Sequence, residues 1–110
     1  MGVDKHSAMA IVLLYGHVDE VDMLAESIAE GIFMVGGPDI TAGEDAAAFI
    51  VDCASELLMI DCGAGKSIMT MIEAVEETGR KPQDISTLIL THCHIDHIGA
   101  VEYLRETYGC

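Results

Sequence analysis

Basic side chains are scarce in this chain. Five Lys and Arg stand against 19 Asp and Glu, for a formal charge of −14. A surface of that sign repels phosphate backbones and anionic membranes, so neither a nucleic acid nor a membrane is expected as a partner. Adaptation to a salt-rich habitat is a second reading of the same acidity. Aromatics are also few, at 5%. Ile, Val, Leu, Met and Ala must therefore fill any core, and a hydrophobic content of 51% supplies them. The cysteines Cys53, Cys62, Cys93 and Cys110 include no CxxC pair, and nothing marks a disulfide framework. Reduced thiols in a cytoplasmic protein are expected. The apolar run Met9 to Tyr15 is too short for a membrane span, which needs about 20 residues. No small-x-small cleavage site follows it, so a strand fits better than a signal peptide. Repeats and low-complexity segments are absent. At 110 residues the chain forms one domain or part of one.

What the chain does have is a dense polar cluster, Thr91-His92-Cys93-His94-Ile95-Asp96-His97. It follows an apolar strand-like run, Ile85 to Leu90, and precedes a helix-like run, Gly99 to Tyr108. Three of five histidines and an aspartate fall within six residues. These groups are costly to bury without partners, and a metal ion partners all of them. The bland alternative is a polar turn with surface histidines. On an extended segment His92 and His94 point the same way, whereas the adjacent Asp96 and His97 diverge. One cation would sit against the first pair and a second against the other. Alternation turns Cys93 away from its neighbours, into core or supporting packing, and Cys62 is expected to be structural.

The remaining chain reads as hairpins followed by alternating helix and strand. Residues 1–8 are polar. Asp19 to Ala29 fits either a helical stripe or a strand, and we favour a strand turning at Glu30-Gly31. Ile32 to Val35 is a short strand closed by Gly36-Gly37-Pro38, and Asp39 to Asp45 is a polar loop. Ala46 to Val51 and Leu57 to Ile60 form a hairpin across Asp52 to Glu56, although alanines are weak strand formers. A helix begins near Ser67, with Ile68, Met71, Ile72 and Val75 on one stripe and Glu73, Glu76 and Glu77 outward. Gly79 caps it, with Arg80 and Lys81 meeting its negative end. Pro82-Gln83-Asp84 is a turn and Ile85 to Leu90 a buried strand. The last helix places Val101, Leu104 and Tyr108 inward, and Gly109 ends it. His6 and His17 stand alone and read as solvated.

The pattern His92-x-His94-x-Asp96-His97 resembles the HxHxDH signature of the metallo-β-lactamase fold superfamily. The similarity takes in Leu88-Ile89-Leu90-Thr91, Ile98-Gly99 and the strand-ending Leu58-Met59-Ile60-Asp61-Cys62-Gly63. It implies an α/β fold, the N-terminal half of an αββα sandwich, with residues 1–110 forming a partial domain whose second half is absent. It further implies metal ligands His92, His94, Asp96 and His97, a catalytic Asp96 and a supporting Asp61. The cofactor would be Zn2+, one or two ions, with iron possible. The implied activity is that of a hydrolase in which metal-bound hydroxide attacks a carbonyl such as a thioester, as in the glyoxalase II-like branch. The substrate would be a small molecule. The family's later ligands, a His, a bridging Asp and a last His, have no counterpart after His97. That leaves two alternatives: a single-iron persulfide dioxygenase-like oxygenase, or an inactive fragment that needs a partner half or a second copy. A competing reading of Gly63-Ala64-Gly65-Lys66-Ser67 as a phosphate loop is weakened by Ile60, which stands where such a loop needs glycine.

Overall fold

A computed structural model describes residues 24–110. The strand expected over Met9 to Tyr15, the polar residues 1–8, His6 and His17 lie outside the described residues. Five strands form one sheet in chain order: β1 (Glu26–Ala29), β2 (Ile32–Gly36), β3 (Ala48–Cys53), β4 (Glu56–Ile60) and β5 (Ile85–Ile89). The first four run antiparallel, and β5 lies parallel to β4. A parallel neighbour requires a crossover, and helix α1 (Ile68–Glu77) supplies it. After β5 come a short helix α2 (Ile95–Ile98) and helix α3 (Val101–Tyr108).

Period-two alternation sends one side of the sheet into the core. Val35, Ala48, Ile50, Leu57 and Met59 are fully buried there. They meet Ile68, Met71, Ile72 and Val75 of α1, the stripe expected from helical spacing, and Leu104 of α3 closes the cluster. Burying each of the larger side chains contributes roughly 1.5–3 kcal/mol. A β-carbon at Gly36 would come within 2.4 Å of the Met71 methyl, so that flexible side chain would have to shift to admit one. Ile32, Met34, Phe49, Val51, Leu58 and Ile60 take the alternate positions and are only half-buried. No described element covers that face.

Several expectations need correction. β3 begins at Ala48 rather than Ala46, because the Ala46 amide leaves the ladder and bonds the Asp96 carbonyl at 3.1 Å. The β3–β4 turn is tighter than Asp52 to Glu56. It closes over Ala54-Ser55, where Ala54 has φ 64° and its amide donates to Asp52 Oδ1. Among the described residues β5 is an edge strand with mostly exposed residues, not a buried one, and Ile89 and Leu90 are each 43% exposed. Arg80 pairs with Asp52 and Asp84 rather than with the end of α1. Glu77 accepts the Ala25 amide at 3.1 Å rather than standing free on the outer face. The run from Gly99 is helical only from Val101, with Leu104 its buried residue and Val101 and Tyr108 half-buried. Gly79 and Gly109 adopt left-handed φ of 85° and 74°, as helix ends require.

Candidate metal centre

The cluster stands where β4 and β5 end. Ile60 and Ile89 are partners in the parallel pair, so Asp61 and Leu90-Thr91 leave the sheet side by side. The Asp61 amide still donates to the Ile89 carbonyl at 2.8 Å. Carboxyl ends of neighbouring strands are where α/β sheets gather ligand-binding groups.

Asp61 is 3% exposed and holds a left-handed φ of 61°, a conformation that Asp tolerates better than most residues. Its Oδ1 accepts the Thr91 amide at 2.9 Å. Its Oδ2 accepts the Thr91 hydroxyl at 2.5 Å and His97 Nδ1 at 2.9 Å. Burial by itself would raise this carboxyl's pKa. The bonds from Thr91 and His97 outweigh burial and hold it below its ordinary range. A carboxylate can only accept, so Nδ1 of His97 is the donor, and in the neutral ring that leaves the lone pair on Nε2. Metal-bound histidines commonly show this arrangement.

The backbone is extended through His94, which caps α2, and turns helical at Ile95. Strand alternation therefore stops before Asp96. Asp96 and His97 do not diverge as an extended segment would make them: Asp96 Oδ2 lies 3.7 Å from His97 Nε2. The His92 ring stacks near that of His94, with centroids 6.0 Å apart and planes at 19°. It is closer still to His97, at 4.6 Å. Cys93 is exposed, not packed, because nothing described covers that side of the loop. Cys62 is fully buried, with its thiol donating to the His97 carbonyl at 3.3 Å, and burial pushes its pKa up to about 11.

Backbone contacts seat the loop. The Cys62 amide donates to the His97 carbonyl at 2.8 Å and the Gly99 amide to the Gly63 carbonyl at 2.7 Å. A β-carbon on Gly99 would fall 2.0 Å from the Ala64 carbonyl carbon. Gly65 approaches the Gly99 carbonyl and Gly63 the Asp45 carboxylate, both at left-handed φ, so close packing accounts for these glycines without a phosphate cradle. Two residues escaped the sequence reading. Asp45, 3% exposed, accepts the Ala64 amide at 2.8 Å and the Thr41 hydroxyl at 2.5 Å. Thr91 contacts Asp61, His92 and His97. Adjacency to the motif was the one available signal for Thr91, and Asp45 gave none.

The donors are three imidazoles and a carboxylate on one loop, with one imidazole oriented by a buried carboxylate. That chemistry fits a divalent cation. Among the described residues no three such side chains are gathered into a closed cage, so the loop offers pairs of donors.

An α/β layer with an imidazole-rich loop at its parallel strand ends defines a scaffold of the kind used by metal-dependent hydrolases. The chain belongs to the metallo-beta-lactamase superfamily, whose sequence profile matches residues 42–110. It forms the first half of that superfamily's sandwich. It is similar to exodeoxyribonuclease WalJ of Streptococcus pneumoniae, 32% identical over 71 residues, which is 64% of this chain and 25% of that protein. It is also similar to an atrochrysone carboxyl ACP thioesterase of Aspergillus fumigatus, 32% identical over 89 residues, 81% of this chain and 27% of that one. A beta-lactamase from Chitinophaga pinensis shares the fold with a TM-score of 0.69 at 24% identity, over 86% of this chain and 34% of that one. The chain thus spans a quarter to a third of the length of these proteins. No described helix is long and apolar enough to cross a membrane.

Proposed function

We propose that the protein carrying this chain is a zinc-dependent hydrolase acting on a small carbonyl substrate such as a thioester. The observation that carries the reading is His97, held at Nδ1 by the buried Asp61 with its Nε2 3.7 Å from Asp96 Oδ2. In this reading His92 and His94 hold one Zn2+, and Asp96 and His97 hold another where two are bound. Bound zinc supplies Lewis acidity and lowers the pKa of water from 15.7 to about 7. Asp96 accepts a proton from the attacking water, a role its 43% exposed carboxylate supports. Asp61 and Thr91 keep the imidazoles oriented. The glyoxalase II-like branch is favoured on the run Thr91 to His97 with Gly99.

A thioesterase and an exodeoxyribonuclease among the relatives point to different substrates. The charge of −14 favours a small molecule over DNA. The half-buried sheet face supports completion by a second half or a second copy. Four free thiols support a cytoplasmic location.

Metal analysis of the full chain, with hydrolysis assays on a thioester, a lactone and single-stranded DNA, tests the assignment. Expected are bound zinc, thioester turnover, and a loss of about 100-fold or more in Asp96→Asn. Near-normal turnover with normal metal content in Asp96→Asn would remove the role given to Asp96. Iron with oxygen consumption would favour the oxygenase. Preferential cleavage of DNA would overturn the small-substrate reading.

A further inference from the structure

We infer that Thr91 is a positioning residue that fixes the tautomer of His92 and so presents the Nε2 of that ring to a metal. The inference rests on the metal-site reading above and assigns a role to a residue outside the ligand set.

A threonine hydroxyl has one hydrogen to donate and lone pairs with which to accept. Its shortest contact is with Asp61 Oδ2 at 2.5 Å, and a carboxylate only accepts. The hydroxyl proton is therefore committed to Asp61. The Thr91 amide reinforces the geometry by donating to Asp61 Oδ1 at 2.9 Å. His92 Nδ1 lies 3.2 Å from the same hydroxyl oxygen. With its own proton spent, that oxygen can only accept from His92, so Nδ1 of His92 must carry hydrogen. A neutral imidazole protonated at Nδ1 has its lone pair on Nε2. His97 reaches the same tautomer by a separate route, through Asp61 Oδ2 at 2.9 Å, with Thr91 a longer contact at 3.3 Å. One buried carboxylate thus sets two histidines, His97 directly and His92 through Thr91. Their rings, 4.6 Å apart, would offer the same kind of nitrogen.

The two routes differ in what a substitution removes. Thr91→Val keeps the shape and deletes the hydroxyl. His92 loses its acceptor, whereas His97 retains Asp61. Long-range 1H–15N spectra of the metal-free full chain near pH 8, where free imidazole is neutral, read the tautomers directly. Expected for the unmodified protein are Nδ1–H on both His92 and His97. Expected for Thr91→Val are a shift of His92 towards Nε2–H, no change at His97, and zinc affinity lower by about 10–100-fold by chelator competition. Thr91→Ser restores both readouts. A purely structural threonine would disturb both rings or neither.

An unmodified protein with Nε2–H on His92 overturns the inference with no variant needed, even if Thr91→Val does not fold. Unchanged His92 in a folded Thr91→Val also overturns it. If the unmodified protein shows the expected tautomers yet binds no zinc, the positioning stands and the metal reading fails.

Discussion

Gly99 and Ala64 meet backbone to backbone, with a hypothetical β-carbon of Gly99 only 2.0 Å from the Ala64 carbonyl carbon. No side chain can swing aside to relieve that approach. It seats the segment after His97 on the loop after β4. Gly99→Ala is expected to destabilise by at least about 3 kcal/mol, the upper end for forced overpacking. Gly43→Ala, where nothing lies within 4 Å, should change little. Urea unfolding of both variants checks the contrast, and equal stabilities would contradict it.

Asp45 holds the same seam from the other side through the Ala64 amide. Asp45→Ala leaves that amide without its acceptor and the Thr41 hydroxyl with only the Gly37 carbonyl, at 3.2 Å. A loss of about 1–3 kcal/mol is expected. Amide exchange at Ala64 should accelerate as well, and unchanged protection there would show that Asp45 does not restrain the loop.

Cysteine chemistry should separate by burial. Cys53 and Cys93 are exposed, whereas Cys62 is fully buried with its thiol pKa raised to about 11. Iodoacetamide at pH 8 is expected to label the first two readily and Cys62 only on unfolding. Mass spectrometry of tryptic peptides after timed quenching gives the order.

Acid should weaken the link between the β3–β4 turn and the segment after α1. The Ala54 amide, followed by Arg80, holds the Asp52 carboxyl below its ordinary 3.8. A lowered native pKa contributes stability above the unfolded value of about 3.9 and loses it as pH falls through the native value. Asp52→Asn should therefore be less stable than the parent at pH 7, by under about 1 kcal/mol for so exposed a pair. The gap should close as pH falls through the lowered native pKa. A gap that persists into strong acid would assign the effect to something other than this charge.

The sheet face that no described element covers leads to a further expectation. Ile32, Met34, Phe49, Val51, Leu58 and Ile60 are half-buried on it. Apolar cover is worth roughly 25 cal/mol per Å², and large open patches mark interaction surfaces. The 110-residue chain taken alone is expected to self-associate, measured by light scattering after size exclusion. A monodisperse 11.7 kDa monomer that unfolds cooperatively at high temperature would show that the sheet needs no cover.

Local periodicity made much of this fold legible. Ile68, Met71, Ile72 and Val75 repeat at helical spacing, and all four reach the core. Ala46 misled because alanine carries no strand preference and the pull on its amide comes from Asp96, far along the chain. The apolar letters of β5 suggested burial, but composition does not reveal that a strand lies at the edge of a sheet with one face open. The His-Asp loop was visible from density and spacing alone. Its supports were not, because Asp45 and Thr91 acquire their roles only when β4, β5 and the loops beyond them come together.

The order of strand pairing bears on when the site can form during folding. β1 pairs with β2 and β3 with β4 across two-residue turns, whereas Asp61 can meet Thr91 only once the crossover through α1 brings β5 beside β4. Non-local closures come late because their loop entropy is lost before contacts compensate it. The chain would thus expose its histidines during much of the search yet lack their shared orienting carboxylate until the final closure. Metal captured early would meet these donors unoriented, and metal captured late an oriented loop. Pulse-labelled hydrogen exchange should find the Thr91 amide protected after the β3–β4 ladder, which would make that amide a clock for the closure of the crossover.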